Sequence, residues 1–103
     1  IRALANNEII KKETFDKMKD WAHFGPGIKY GYGIMNFQLI FMPKKYEIWG
    51  NSGSIGAFMY YNPSMDVYMI GSFHKWNCQR LPIMFILKTL RRINKAFKIA
   101  NVL

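Results

Sequence analysis

Residues Tyr46 to Gly71 read Tyr-Glu-Ile-Trp-Gly-Asn-Ser-Gly-Ser-Ile-Gly-Ala-Phe-Met-Tyr-Tyr-Asn-Pro-Ser-Met-Asp-Val-Tyr-Met-Ile-Gly. Two aromatic-rich runs flank Asn62-Pro63-Ser64-Met65-Asp66. That is a hairpin signal, because Pro63 suits an early turn position and the Asp66 side chain can bond back to the backbone. The first run carries Gly50, Gly53 and Gly56. Glycine weakens a strand unless another backbone or a ligand must come close. Tyr46 to Tyr61 therefore reads as one strand, bent at its glycines and shaped for close approach. Val67 to Lys75 reads as its plain core neighbour.

Working outward, Lys29 to Met42 reads as a preceding strand that turns at Pro43-Lys44-Lys45, with its alternation broken at Ile40 and Phe41. Three adjacent strands joined by short connections predict an antiparallel meander. Upstream, His23-Phe24-Gly25-Pro26-Gly27 reads as a loop, since Gly-Pro-Gly interrupts regular structure. Lys12 to Trp21 reads as a short helix with Phe15 and Met18 on one face and no good cap at its start. Ile1 to Asn6 reads as the tail of another helix, stopped at Asn6-Asn7 because Asn tolerates the left-handed conformation. Downstream, Pro82 to Ala100 is the clearest helix. Ile83, Ile86, Leu87, Leu90, Ile93, Phe97 and Ala100 form one apolar stripe, opposite Lys88, Arg91, Arg92, Lys95 and Lys98. The stripe is expected to cover one face of the sheet. The expected fold class is α+β: a three-stranded antiparallel meander packed by short N-terminal helices and a long C-terminal helix.

A length of 103 residues bounds the chain to one domain, residues 1–103, with a modest core. A hydrophobic fraction of 50% and an aromatic fraction of 17% exclude a disordered chain, and suit a larger core than this length closes alone. Leu81 to Leu87, the longest apolar run, is broken by Pro82 and falls short of the about 20 residues that span a bilayer. With Ile1 in first place and no initiating Met, the start reads as mid-protein. Cys78 is the only cysteine, which excludes an intrachain disulfide.

The net charge is +9, and from Val67 onward Lys75, Arg80, Lys88, Arg91, Arg92, Lys95 and Lys98 have no acidic company. Such a patch can attract acidic polymers or an anionic surface. Without zinc-ligand spacing, an RNA-binding aromatic motif or a helix-turn-helix pattern, it reads as a solvated helix face, and no nucleic-acid partner is expected. His74 and Cys78 sit in a loop, Glu47 and Asp66 form no evident acid–base pair, and the ligands for a metal do not cluster. Gly50-x-x-Gly53-x-x-Gly56 lacks the Lys-Ser/Thr of a phosphate loop. No metal or cofactor is expected.

Trp49-Gly50-Asn51-Ser52-Gly53-Ser54-Ile55-Gly56-Ala57-Phe58, with Tyr60-Tyr61-Asn62-Pro63 and Asp66-Val67-Tyr68, resembles the last motif region of the serine beta-lactamase and penicillin-binding-protein superfamily, in its class C and esterase-like branch. Tyr30-Gly31-Tyr32-Gly33 is similar to the strand before that region, and Leu4 to Trp21 to the helical segment before the strand. The resemblance covers most of this chain but only the C-terminal part of such an enzyme. It implies that residues 1–103 are a fragment of a larger domain. It also implies that Asn51, Ser52 and Gly53 occupy the Lys/His-Ser/Thr-Gly triplet of the active-site strand and contact substrate. The Ser54 backbone N–H would then be one of two oxyanion donors. Asn51 departs from the pattern: it carries no charge and cannot shuttle a proton, which counts against penicillin-type recognition. Family members often act outside the cytoplasm or at the membrane, so the resemblance implies an extracytoplasmic or membrane-associated setting.

The family's nucleophile lies in a Ser-x-x-Lys motif that opens a helix. Ser72-Phe73-His74-Lys75 fits the letters but follows the triplet and ends a strand. Tyr60-Tyr61-Asn62 mimics the family's Tyr-x-Asn triplet but runs into a turn. Both read as coincidence, so this polypeptide alone is expected to have no acylating serine. Three readings stand. One is the C-terminal piece of a serine hydrolase acting on an ester, amide or lactam, partnered by the rest of its enzyme. The others are a non-catalytic binding or regulatory relative, and a small basic protein that binds acidic polymers. A fragment of this kind should also leave sheet edges uncovered and self-associate through them.

Overall fold

The computed structural model describes residues 1–39, 42–77 and 80–100. Cys78, and Ile40 with Phe41 where the alternation breaks, lie outside the described residues. The order is α1 (Arg2–Ala5), α2 (Lys12–Met18), β1 (Ala22–Gly25), β2 (Ile28–Tyr30), β3 (Met35–Phe37), β4 (Ile48–Ser52), β5 (Ala57–Asn62), β6 (Val67–Ser72) and α3 (Arg80–Ile99), with a single 3-10 turn at Lys44–Tyr46. The class is α+β. The six strands form one antiparallel sheet in sequence order, β1-β2-β3-β4-β5-β6.

The meander therefore has six strands where three were expected, and the reason lies in three turns. Gly53 to Gly56 is a hairpin turn rather than a bend: Gly53 N–H donates to Ala57 C=O at 2.9 Å and Gly56 takes φ +81°. That left-handed conformation is one glycine adopts without strain. The expected strand Lys29 to Met42 likewise splits at Gly31 to Ile34, where Gly31 N–H donates to Ile34 C=O at 2.8 Å. Of Tyr30-Gly31-Tyr32-Gly33, only Tyr30 lies in a strand. The expected loop at His23 to Gly27 is the β1–β2 hairpin, in which Gly25 pairs with Ile28 and Pro26-Gly27 make the turn. Pro at the second turn position followed by Gly at φ +73° is the type II pattern.

Other elements fall where the residue pattern puts them. Asn62 to Asp66 joins β5 to β6. Asn7 sits at φ 58° just beyond α1, while Glu8 N–H donates to Ala3 C=O at 2.8 Å and Asn7 N–H to Leu4 C=O at 3.3 Å. That is a Schellman ending with Asn in the left-handed place.

The sheet has a core on each face. On one, Ile86 and Leu90 of α3 are fully buried against Ile48, Phe58, Tyr60 and Met69, with Ile83 packed beside them. Full burial of side chains this size contributes about 1.5–3 kcal/mol each. The α3 stripe thus covers the sheet, with one polar member: Asn94 is buried and donates to the Tyr46 hydroxyl at 3.3 Å. Lys88, Arg91, Arg92, Lys95 and Lys98 are exposed. On the other face Phe15 of α2 packs edge-on against Trp49, ring centroids 5.1 Å apart, beside Ile34.

Candidate functional site

β4 places its side chains alternately on the two faces, so Asn51 and Ser52 point in opposite directions. Asn51 belongs to the face covered by α2. Its Nδ2 donates to Gly33 C=O at 3.1 Å, and its Oδ1 accepts from the Ser52 N–H at 2.8 Å. The side chain ties β4 to the β2–β3 turn. Ser52 belongs to the face covered by α3, where its Oγ lies 2.9 Å from the Tyr60 hydroxyl, which reaches Met35 Sδ at 3.9 Å. Ser52 also stands on the rim of a groove of about 830 Å³ between α3 and β2–β3. Tyr30, Met35, Phe37, Ile83 and Leu87 give the groove its apolar wall, and Arg80 stands at its edge.

Gly53 and Ser54 follow β4 in the exposed hairpin turn. The three glycines of this stretch have different physical reasons. A Cβ on Gly50 would meet the Met59 carbonyl and come within 2.8 Å of Tyr60 Cα, so Gly50 admits the neighbouring strand. Gly56 supplies the left-handed turn position. A Cβ on Gly53 would have open space, so no part of the described chain presses on it. The structure brings Asn51, Ser52, Gly53 and Ser54 together at the open end of β4, beside a groove.

The two look-alike motifs have other places. Ser72 to Lys75 is exposed at the end of β6, with His74 at φ 50° and its N–H bonded to Ser72 Oγ at 3.2 Å; no helix begins there. In Tyr60-Tyr61-Asn62, Asn62 is fully buried. Its Nδ2 donates to Lys45 C=O and Glu47 C=O, and its Oδ1 accepts from the Met65 N–H, each at 2.8 Å. The Tyr61 hydroxyl donates to the Asp66 carboxylate at 2.8 Å, so Asp66 receives a side chain rather than bonding back to its own turn. Among the described residues no three His, Cys, Asp or Glu side chains gather.

Tyr60 is the residue sequence reasoning missed. With the hairpin placed at Gly53 to Gly56, Gly50 pairs with Tyr60, which sets Tyr60 diagonally across from Ser52 on the same face. Burial pushes the Tyr60 phenol from its ordinary 10.0 up to about 12, while the Ser52 hydrogen bond pulls it the other way. Tyr60 is therefore neutral across the physiological range and serves as a hydrogen-bonding group. In the unfolded chain it ionises near 10.0; in the fold it stays protonated to about 12. Its contribution to stability is complete below the first value and is lost as pH rises through the second. The urea midpoint should fall across that window, and less steeply for Tyr60→Phe. An equal fall in both proteins would mean that Tyr60 is not the cause.

No protein-family model matches the chain, and no curated protein matches it.

Proposed function

We propose that this chain is the C-terminal part of a serine hydrolase of the beta-lactamase and penicillin-binding-protein-like superfamily, and that the end of β4 borders its reaction centre. The observation that carries the reading is Gly53: it follows Asn51 and Ser52 at an open strand end, with unfilled space where its side chain would be. A substrate backbone can pass close there. Ser52 presents a hydroxyl beside the groove, and the exposed turn holds the Ser54 N–H for a developing oxyanion. The nucleophile would come from chain preceding Ile1, since the Ser-x-x-Lys letters in this chain close a strand. The substrate class is an ester, amide or lactam, and this polypeptide alone is inactive.

The experiment compares this chain with the longer polypeptide that contains it, using a fluorophosphonate probe and p-nitrophenyl ester turnover. The longer chain is expected to label covalently and show an acylation burst, and the short chain to do neither. A second reading, a non-catalytic binding relative, is favoured by Asn51, whose amide is committed to Gly33 and to the Ser52 backbone. A longer chain that binds the ester without labelling or turnover selects that reading.

A further inference from the structure

The two edges of the sheet are unlike. β1 is four residues long and its pairing to β2 is irregular between His23 and Gly25, which blunts it. β6 is six residues long, pairs with β5 along its whole length, and contains neither a charge nor a proline. It also holds Ile70 68% exposed, which a blunted edge would avoid. The bond from Gly53 N–H to Ala57 C=O turns Ala57 toward β4. Backbone groups alternate along an antiparallel strand, so Phe58, Tyr60 and Asn62 turn toward β6 and meet Gly71, Met69 and Val67. Phe73 N–H, donating to Gly56 C=O at 3.1 Å, keeps the same phase. The backbone groups of Tyr68, Ile70 and Ser72 are left pointing outward.

We propose that β6 pairs antiparallel with β6 of a second copy of this chain, about a two-fold axis through Ile70, so that two sheets become one. In that register Ile70 lies opposite Ile70 of the second copy and Tyr68 opposite its Ser72. Every outward N–H and C=O then meets an outward partner. Charge decides both the occupant and the direction. A net charge of +9 opposes contact between copies over most of the surface, and β6 is an uncharged strip within it. Antiparallel pairing sets Asp66, before one strand, opposite His74 and one step from Lys75, after the other, and does so twice. Parallel pairing would set like beside like.

Sedimentation velocity across the micromolar range should show a dimer that dissociates on dilution. Amide exchange by NMR should show Tyr68, Ile70 and Ser72 protected in the dimer and unprotected in the monomer. Ile70→Lys places two ammonium groups opposite each other at the axis and should give a monomer with an unchanged circular dichroism spectrum, like charges directly opposite being unfavourable. Lys75→Glu lies outside the strand, so it tests the pairing even if Ile70→Lys fails to fold. It sets a carboxylate beside Asp66 of the second copy at both ends, and should weaken association about tenfold. A monomer throughout overturns the proposal. So does a dimer whose three outward amides exchange freely, or one that Lys75→Glu leaves unchanged.

Discussion

Asn62→Ala is expected to lower the stability of the domain by about 3–5 kcal/mol, measured as the shift in the urea unfolding midpoint at constant slope. The side chain is fully buried and serves three backbone groups on two segments: Lys45 C=O and Glu47 C=O where the chain enters β4, and Met65 N–H in the β5–β6 turn. Leaving each buried group unpaired costs about 1–3 kcal/mol, against a total of roughly 5–15 kcal/mol for a small domain. Asn62→Asp separates the two roles. A carboxylate still accepts from Met65 N–H, as Asp does well in turns, but it faces the Lys45 and Glu47 carbonyls with no proton to donate. Asn62→Asp should therefore be at least as damaging as Asn62→Ala. An Asn62→Asp protein of native stability would mean that only the turn bond matters. The consequence reaches the candidate site, because the segment that Asn62 pins leads directly into the strand carrying Asn51 and Ser52.

The residue pattern reveals much of this fold for identifiable reasons. The three- and four-residue spacing of Ile83, Ile86 and Leu90 repeats through several turns of α3, so local pattern and tertiary burial agree. The Asn62–Asp66 turn is legible because Pro63 limits its own φ and Asp66 accepts φ 54°. The extra strands were hidden because β2 and β3 are three residues each, too short for alternation to declare itself. The β4–β5 turn was hidden because glycine has two opposite meanings, close approach inside a strand and left-handed backbone between strands. Gly50 has the first and Gly56 the second. At the site, the position of Asn51, Ser52 and Gly53 at a strand end follows from the letters. Their hydrogen bonds do not, because the Gly33 turn that holds Asn51 and the Tyr60 hydroxyl that meets Ser52 arrive through strand pairing.

Gly50 and Gly53 stand three positions apart, and alanine at each should have opposite consequences. Gly50→Ala drives a methyl group into the Met59 carbonyl and against Tyr60 Cα. Both are backbone atoms held in the β4–β5 pair, so no rotamer change relieves the contact. The cost should reach the upper end of the roughly 1–3 kcal/mol of overpacking, or exceed it. Gly53→Ala meets nothing within 4 Å and should leave stability unchanged, or raise it by up to about 1 kcal/mol through lost freedom in the unfolded chain. Thermal unfolding of the two variants checks this order, and equal destabilisation would mean that Gly53 also serves the fold. The functional consequence runs the other way. If a substrate backbone passes over Gly53, the new methyl group occupies its path, and the longer polypeptide with Gly53→Ala should fold normally while labelling with the fluorophosphonate probe far more slowly. Normal stability with undiminished labelling would remove Gly53 from the border of the reaction centre. A residue whose side chain is absent for the sake of the fold shows itself in stability alone, and one whose side chain is absent for the sake of a ligand shows itself in binding alone.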